Sequence, residues 1–268
     1  MLVVVAARAN EAASVADLLY KWDAAKVTFR AVGRARTLVY GGPFDDRGAL
    51  QAASQLRLLG WSADVRPEGG GHLAAWRNHT RPTVIEGRIW VCFPWSEFDR
   101  DQAHILTEID PGRAFGTGAH PTTKLLLREL ATRLQGNERV LDVGTGSGVL
   151  AIAAAQLGAS DVTAIDISPT AVAATKTNAR RNQVEVRAMD TPVAELTETY
   201  DVIVANLDAS TLTQLAPAVQ RCLAPRGWVA LSGISPAQVS KVAATYKGVC
   251  VIGTPSEEDW SALVMGTA

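Results

Sequence analysis

Apolar residues in the first 66 positions come in short bursts with two different periods. Leu2–Ala6 is an unbroken apolar run of strand length. Over Glu11–Trp22, apolar Val15, Leu18, Leu19 and Trp22 recur at helical spacing, which predicts a helix with one apolar side. Val27–Val32 and Thr37–Tyr40 read as paired strands, broken by Gly33 and ended by Gly41-Gly42-Pro43. Asp45 and Asp46 open a second helix carrying Leu50, Leu56 and Leu59. Gly60 stops it, and Trp61–Val65 makes a last strand. The order β-α-β-β-α-β predicts a small α+β, ferredoxin-like domain over residues 1–67.

Pro67-Glu68-Gly69-Gly70-Gly71 is a cluster of chain breakers and marks the expected domain boundary. Residues 68–108 read as a connector packed across both domains, with Trp76, Trp90 and Trp95 as its anchors. Few basic residues interleave with these tryptophans, so packing suits them better than stacking on bases. Beyond Asp110 the rhythm changes. Arg139–Val143, Asp161–Asp166, Val184–Ala188, Tyr200–Ala205 and Trp228–Leu231 read as strands. Helices at Val149–Leu157, Pro169–Asn182, Ser210–Cys222 and Pro236–Tyr246 lie between or after them. Such alternation predicts an α/β fold, a mostly parallel, doubly wound, Rossmann-like sheet over residues 109–268.

The chemistry concentrates where the first of these strands ends. Val140-Leu141-Asp142-Val143-Gly144-Thr145-Gly146-Ser147-Gly148 runs a strand through a glycine-rich turn into a helix, letting a ligand lie against bare backbone. The next strand ends at Asp166, 18 residues after Gly148, where a carboxylate can accept from both ribose hydroxyls of a nucleoside. Together they point to an adenosine-bearing cofactor. The dinucleotide fingerprint needs a small residue three after its second glycine, and Val149 stands there. Asp142 would also repel a pyrophosphate, yet it suits the ammonium and sulfonium of S-adenosylmethionine.

Val204-Ala205-Asn206-Leu207 ends the fourth strand, so Asn206 points towards the transferable methyl group, its amide oxygen able to accept from an amine. Asp110–Thr123 is a glycine-rich loop leading into a helix that Thr122 or Thr123 could cap. Its glycines and Phe115 suggest a segment that closes over the cofactor, and His120 is a candidate base.

Composition narrows the picture further. Hydrophobic residues make up 47% and charged ones 20%, and the net charge of −1 supplies no global pull towards nucleic acid or anionic lipid. No apolar stretch approaches the roughly 20 residues of a membrane span. The start lacks the basic region of a secretory signal, so a cytoplasmic protein is expected. Cys92, Cys222 and Cys250 are too scattered for a disulfide framework and read as buried free thiols. His72, His79, His104 and His120 show no metal spacing, so no metal is expected.

Five runs make the resemblance specific: FGTGAHPTTKLLL, VLDVGTGSGVLAIAAAQLGA, AIDISPTAVAATKTNARRN, VIVANL, and LSGI with the late Trp260. In that order, with Trp76 and Pro82 upstream, the chain resembles the PrmA family, bacterial methyltransferases of large-subunit ribosomal protein eleven. The likeness covers residues 76–268. It implies a class I, seven-stranded methyltransferase domain, an N-terminal domain that grips the ribosomal protein, and S-adenosyl-L-methionine as cofactor. It places Thr123, Gly144, Asp166 and Asn206 at cofactor-contacting positions. From the residues themselves, Asp142, Gly146 and Gly148 join that set. Asn206 is the expected catalytic residue, orienting a lysine ε-amino or N-terminal amine. The alternatives are a related enzyme acting on another protein or a small amine, and a non-catalytic module that binds the same cofactor.

Overall fold

The structure is a computed structural model that describes residues 1–267 except 9, 23, 25, 33–35, 43, 45, 67–81, 97 and 111–117. The expected breaker cluster at Pro67–Gly71, Trp76, His72, His79 and the Phe115–Thr117 loop therefore lie outside the described residues.

The N-terminal unit runs β1 (Leu2–Arg8), α1 (Ala12–Lys21), β2 (Lys26–Val32), β3 (Arg36–Gly42), α2 (Asp46–Leu58) and β4 (Ser62–Arg66). Its strands pair antiparallel in the order β2-β3-β1-β4, the arrangement expected of a β-α-β-β-α-β chain. Alternate residues Val3, Val5 and Ala7 of β1 turn inward onto Val15 and Leu19 of α1 and Leu56 of α2. The sequence assigns leucines 50, 56 and 59 to α2 and its end, and only Leu56 is buried. Leu50 and Leu59 are 61% and 56% exposed. The buried stripe is Ala49, Ala52, Ala53 and Leu56, spaced i, i+3, i+4, i+7, so period rather than residue size selects the inner face.

Next come β5 (Thr83–Ile85), β6 (Ile89–Cys92) and β7 (Ile105–Glu108), a three-stranded sheet in which β5 and β6 form a hairpin and β7 runs parallel to β6. In the described part of the expected connector, Ile85, Ile89 and Val91 join the core of the C-terminal sheet, together with Ile109 just beyond it. Trp90 stacks on Phe98 and Trp95 on Phe93, as packing anchors do.

The C-terminal unit continues with α3 (Pro121–Arg133), β8 (Arg139–Val143), α4 (Val149–Gln156), β9 (Asp161–Ile165), α5 (Pro169–Arg181), β10 (Arg187–Met189), β11 (Tyr200–Asn206), α6 (Ala209–Cys222), β12 (Leu223–Ile234), α7 (Val239–Ala243), β13 (Val249–Gly253), β14 (Ser256–Glu257) and β15 (Trp260–Thr267). The sheet order is β10-β9-β8-β11-β12-β15-β13, with β14 on β15. Strands β10, β9, β8, β11 and β12 are parallel to one another, and β15 runs antiparallel to both β12 and β13. This is the Rossmann-like, class I architecture. The period-2 alternation divides the interior cleanly. Val140, Val202, Val204 and Ala230 face one helical layer, and Leu141, Ile203, Ala205 and Leu231 face the other. The expected helix over Pro236–Tyr246 is a 3-10 turn at Pro236–Gln238 followed by the short α7. Cys92 and Cys222 are buried free thiols as expected, while Cys250, on the edge strand β13, is exposed. Among the described residues no helix is long and apolar enough to cross a membrane.

Because Leu56 is fully buried and Leu50 is not, their truncations separate. Leu56→Ala is expected to cost about 2–5 kcal/mol and Leu50→Ala less than about 0.5 kcal/mol, read by denaturant unfolding of the full chain.

Candidate functional site

The chain leaves β8, builds β9 and β10 on one side, then crosses to β11 on the other. The carboxyl ends of β8 and β11 therefore flank the point where strand order reverses, the usual crevice of an open α/β sheet. Register places Ala205 beside Val143, bringing Asn206 next to the turn that follows β8.

Three glycines give that turn its shape. Gly144, Gly146 and Gly148 all have φ between 57° and 88°, the left-handed region. A Cβ on Gly144 would lie 2.6 Å from Leu207 Cδ2, and one on Gly148 2.9 Å from Thr175 Cγ2, so neither position admits a side chain without displacing its neighbour. The amides of Gly144 and Thr145 both donate to Ile165 O, at 2.8 and 3.0 Å, which straps the turn to the end of β9. Asp166 follows immediately. Its Oδ2 accepts from Gly146 N at 3.0 Å and its Oδ1 from Ser168 N at 2.9 Å. Each oxygen keeps a further lone pair for an incoming hydroxyl.

Asp142 sits 1% exposed on β8. Its Oδ2 accepts from Thr145 Oγ1 at 2.7 Å and Ala151 N at 3.3 Å, while Oδ1 is buried with no partner among the described residues. Burial pushes this carboxyl up to about 7, against the pull of the Thr145 and Ala151 bonds, and the Asp166 charge adds to the rise. A buried acid with one unmatched oxygen is half of an ion pair or a charge-assisted hydrogen bond.

Asn206 and Thr123, 83 residues apart, meet directly: Asn206 Nδ2 donates to Thr123 Oγ1 at 3.1 Å. The contact commits the amide nitrogen and leaves the amide oxygen as the acceptor at this strand end. Neither threonine caps α3. His120 does, its Nδ1 accepting from Thr122 N at 3.3 Å and lying 2.7 Å from Thr122 Oγ1. Pro121 occupies the first helical position, where a fixed φ and a missing N–H cost nothing, and this moves the cap one residue upstream. The His120 ring also meets Trp260 edge-on at 5.2 Å. Burial, helped by Lys124, lowers its pKa to about 4, so the ring is neutral near pH 7 and already committed to the cap. Lys124 and Arg128, further along α3, share Glu257 of β14, which fastens the C-terminal hairpin to this helix.

The structure thus gathers Asp142, Gly144, Gly146, Gly148 and Asp166 around one turn, and joins Thr123 to Asn206 beside it. Sequence reasoning missed Ile167, which follows Asp166 and is 89% exposed. The available signal was an apolar residue directly after the acidic strand end. An open isoleucine there presents a flat apolar surface beside the carboxylate.

The family model for ribosomal protein L11 methyltransferase (PrmA) matches residues 71–267. The ribosomal protein L11 methyltransferase of Citrifermentans bemidjiense is 41% identical over 196 residues, covering 70% of this chain and 64% of that protein. That of Heliobacterium modesticaldum is 41% identical over 227 residues, covering 82% and 71%. Among solved structures, a ribosomal protein L11 methylase from Lactobacillus delbrueckii subsp. bulgaricus superposes with a TM-score of 0.66 at 30% identity, covering 70% of this chain and 99% of that one. The chain matches 64% of the length of the first of these relatives. With the matched region holding the glycine turn, both acidic strand ends and the Thr123–Asn206 pair, the chain belongs to the ribosomal protein L11 methyltransferase (PrmA) family.

Proposed function

We propose that this chain is an S-adenosylmethionine-dependent protein N-methyltransferase acting on lysine ε-amino groups, and on an N-terminal amine, of large-subunit ribosomal protein eleven. The observation that carries the cofactor is the buried, unmatched Oδ1 of Asp142 at the foot of a glycine-rich turn that admits no side chain at Gly144 or Gly148. A ligand ammonium answers that oxygen as a pyrophosphate cannot. Asp166 would hold the ribose hydroxyls, and Ile167 would lie against the adenine. When bound, the cofactor supplies an electrophilic methyl group on a positively charged sulfur.

The chain's own residues then have little covalent work to do. Methyl transfer is an in-line displacement, and positioning can supply most of the acceleration. The acceptor nitrogen needs a free lone pair, although a lysine in water holds its proton up to about pH 10.4. A desolvated site beside a positive charge lowers that value. Asn206 Oδ1 accepts one remaining N–H of the neutral amine and so aims its lone pair, and Thr123 keeps the amide from rotating. His120 is an unsuitable base, because its Nδ1 is occupied by Thr122. We assign residues 1–67 to gripping the ribosomal protein, 68–108 to joining that grip to the core, and 109–268 to catalysis in the cytoplasm. No metal enters this scheme, and a net charge of −1 argues for recognising the protein rather than its RNA.

Incubation of the purified chain with ribosomal protein eleven and S-adenosylmethionine is expected to add mass in 14 Da steps on lysine residues, as about one CH₂ per transfer requires. A chain that binds the cofactor yet leaves the protein's mass unchanged would refute the acceptor.

Asn206→Ala is expected to lower kcat about 100-fold or more and to change the cofactor Kd by less than about threefold, since its partner is the amine in transfer. Calorimetry beside steady-state kinetics separates these, and a parallel collapse of both would make Asn206 a binding residue.

Cofactor affinity is expected to depend on pH through Asp142. The free carboxyl titrates near 7, and a bound ammonium favours its ionised form, so binding below that pH must expel a proton. Affinity should be flat above about pH 7 and fall with decreasing pH by at most about tenfold per unit. Asp142→Asn should remove this dependence, as measured by titration across pH 5.5–8.

A further inference from the structure

The glycine-rich turn is gripped from behind by α5, through groups the proposed reaction does not otherwise use. Thr175 Oγ1 donates to Gly146 O at 3.1 Å. One helical turn on, Asn178 Nδ2 donates to Ser147 O at 2.9 Å. Both side chains are at most 1% exposed, and two successive carbonyls of the turn accept from this helix face.

Asn178 also reaches in a second direction. Its Nδ2 donates to Asp110 O at 3.0 Å, and its Oδ1 accepts from Asp110 N at 3.0 Å. Asn182 does the same for Glu108, donating to its carbonyl at 2.7 Å and accepting from its amide at 2.8 Å. Gln156 of α4 completes the row, donating to Leu106 O at 2.7 Å. Positions 106, 108 and 110 alternate along one edge of β7, and three side-chain amides stand there in place of a fourth strand. The fit is metric. Four residues of helix rise about 6 Å and two residues of strand about 6.6 Å, so asparagines at i and i+4 meet backbone at i and i+2. Asn182 bonds to β7, to its own helix and, at 3.5 Å, to Gln156 Nε2 of α4, whereas Asn178 is the member of this row that also bonds to the turn.

We propose that Asn178, with Thr175, is a positioning residue of the methyltransferase. It holds the Gly146–Gly148 backbone in its ligand-receiving form and locks it to the strand end at Asp110. This inference rests on S-adenosylmethionine being the ligand of the turn. Asn182 supplies an internal control, since it makes an equivalent backbone clamp and, among the described residues, no hydrogen bond of its own to the turn.

The test compares Asn178→Ala, Asn182→Ala and Thr175→Val in the full chain, by thermal unfolding without ligand and by calorimetric titration with S-adenosylmethionine. Asn178→Ala and Asn182→Ala should lower Tm by similar amounts. Only Asn178→Ala should raise the cofactor Kd, by about tenfold or more, with Asn182→Ala within about twofold of the parent. Thr175→Val, which removes a single bond at nearly constant shape, should raise Kd several-fold with little change in Tm, and it decides the matter if Asn178→Ala does not fold. Kd values that follow Tm across all three variants, or an unchanged Kd in Thr175→Val and Asn178→Ala, would overturn the inference. A parent chain that itself binds no S-adenosylmethionine would instead refute the function from which the inference starts.

Discussion

Placing a carboxyl in the middle of a parallel sheet is a demanding constraint, and Asp142 imposes it on its whole neighbourhood. The oxygens cannot reach water, so one is matched by Thr145 Oγ1 and Ala151 N, which locates the start of α4 relative to β8. The turn between them is then short, with glycine at every second position. Its amides are drawn to Ile165 O, which in turn delivers Asp166 to Gly146 N. Two acidic groups end on opposite sides of one glycine-rich backbone because the first cannot be left unsatisfied. The remaining oxygen has no partner among the described residues, and leaving a buried polar atom unmatched costs about 1–3 kcal/mol of stability in the free protein. In the function proposed above, a bound ammonium removes that cost.

The other half of the site depends on a different economy. Asn206 is presented by β11, but its orientation is set by Thr123 from a helix more than 80 residues earlier in the chain. That helix is itself tied at both its start and its flank. His120 caps it and packs on Trp260, while Lys124 and Arg128 engage Glu257. The last strand and its hairpin thus stabilise the helix that orients Asn206, the residue proposed to aim the acceptor, and link the C-terminal strands to the middle of the sequence.

Some of this was legible in the residues and some was not, for reasons that differ case by case. Asp142, Gly144 and Asp166 stand at or beside strand ends and Gly148 at the helix start that follows, and such places are marked by abrupt changes between apolar runs and glycine or acid. Asn206 was legible for the same reason. The His120 cap was hidden because Thr122 and Thr123 are better cap formers by type, and only the proline between them and His120 decides the position. Leu50 and Leu59 misled because large apolar side chains draw the eye, whereas α2 meets its sheet through an alanine stripe. The strands β5 to β7 were missed because their outer edge is closed by Gln156, Asn178 and Asn182, whose role is invisible without the fold. The strands β13 to β15 close the sheet by antiparallel pairing: β15 carries the buried run Ala262–Met265, while β13 lies on the edge with its apolar run half open to solvent. No helix separates these three strands in the β-α rhythm by which the parallel strands were read.

That half-open edge has a practical side. Burial pushes the Cys92 thiol up to about 11 and raises that of Cys222 as well, which leaves both poorly nucleophilic. Cys250 alone among the cysteines faces solvent, on the strand that ends the sheet, well along the sheet from the β8–β11 crevice. The molecule therefore carries one chemically distinct attachment point for a fluorophore or spin label. A reporter there would sit on rigid secondary structure, clear of Asp142 and Asn206, and would give a fixed reference against which the movement of a gripped substrate could be measured.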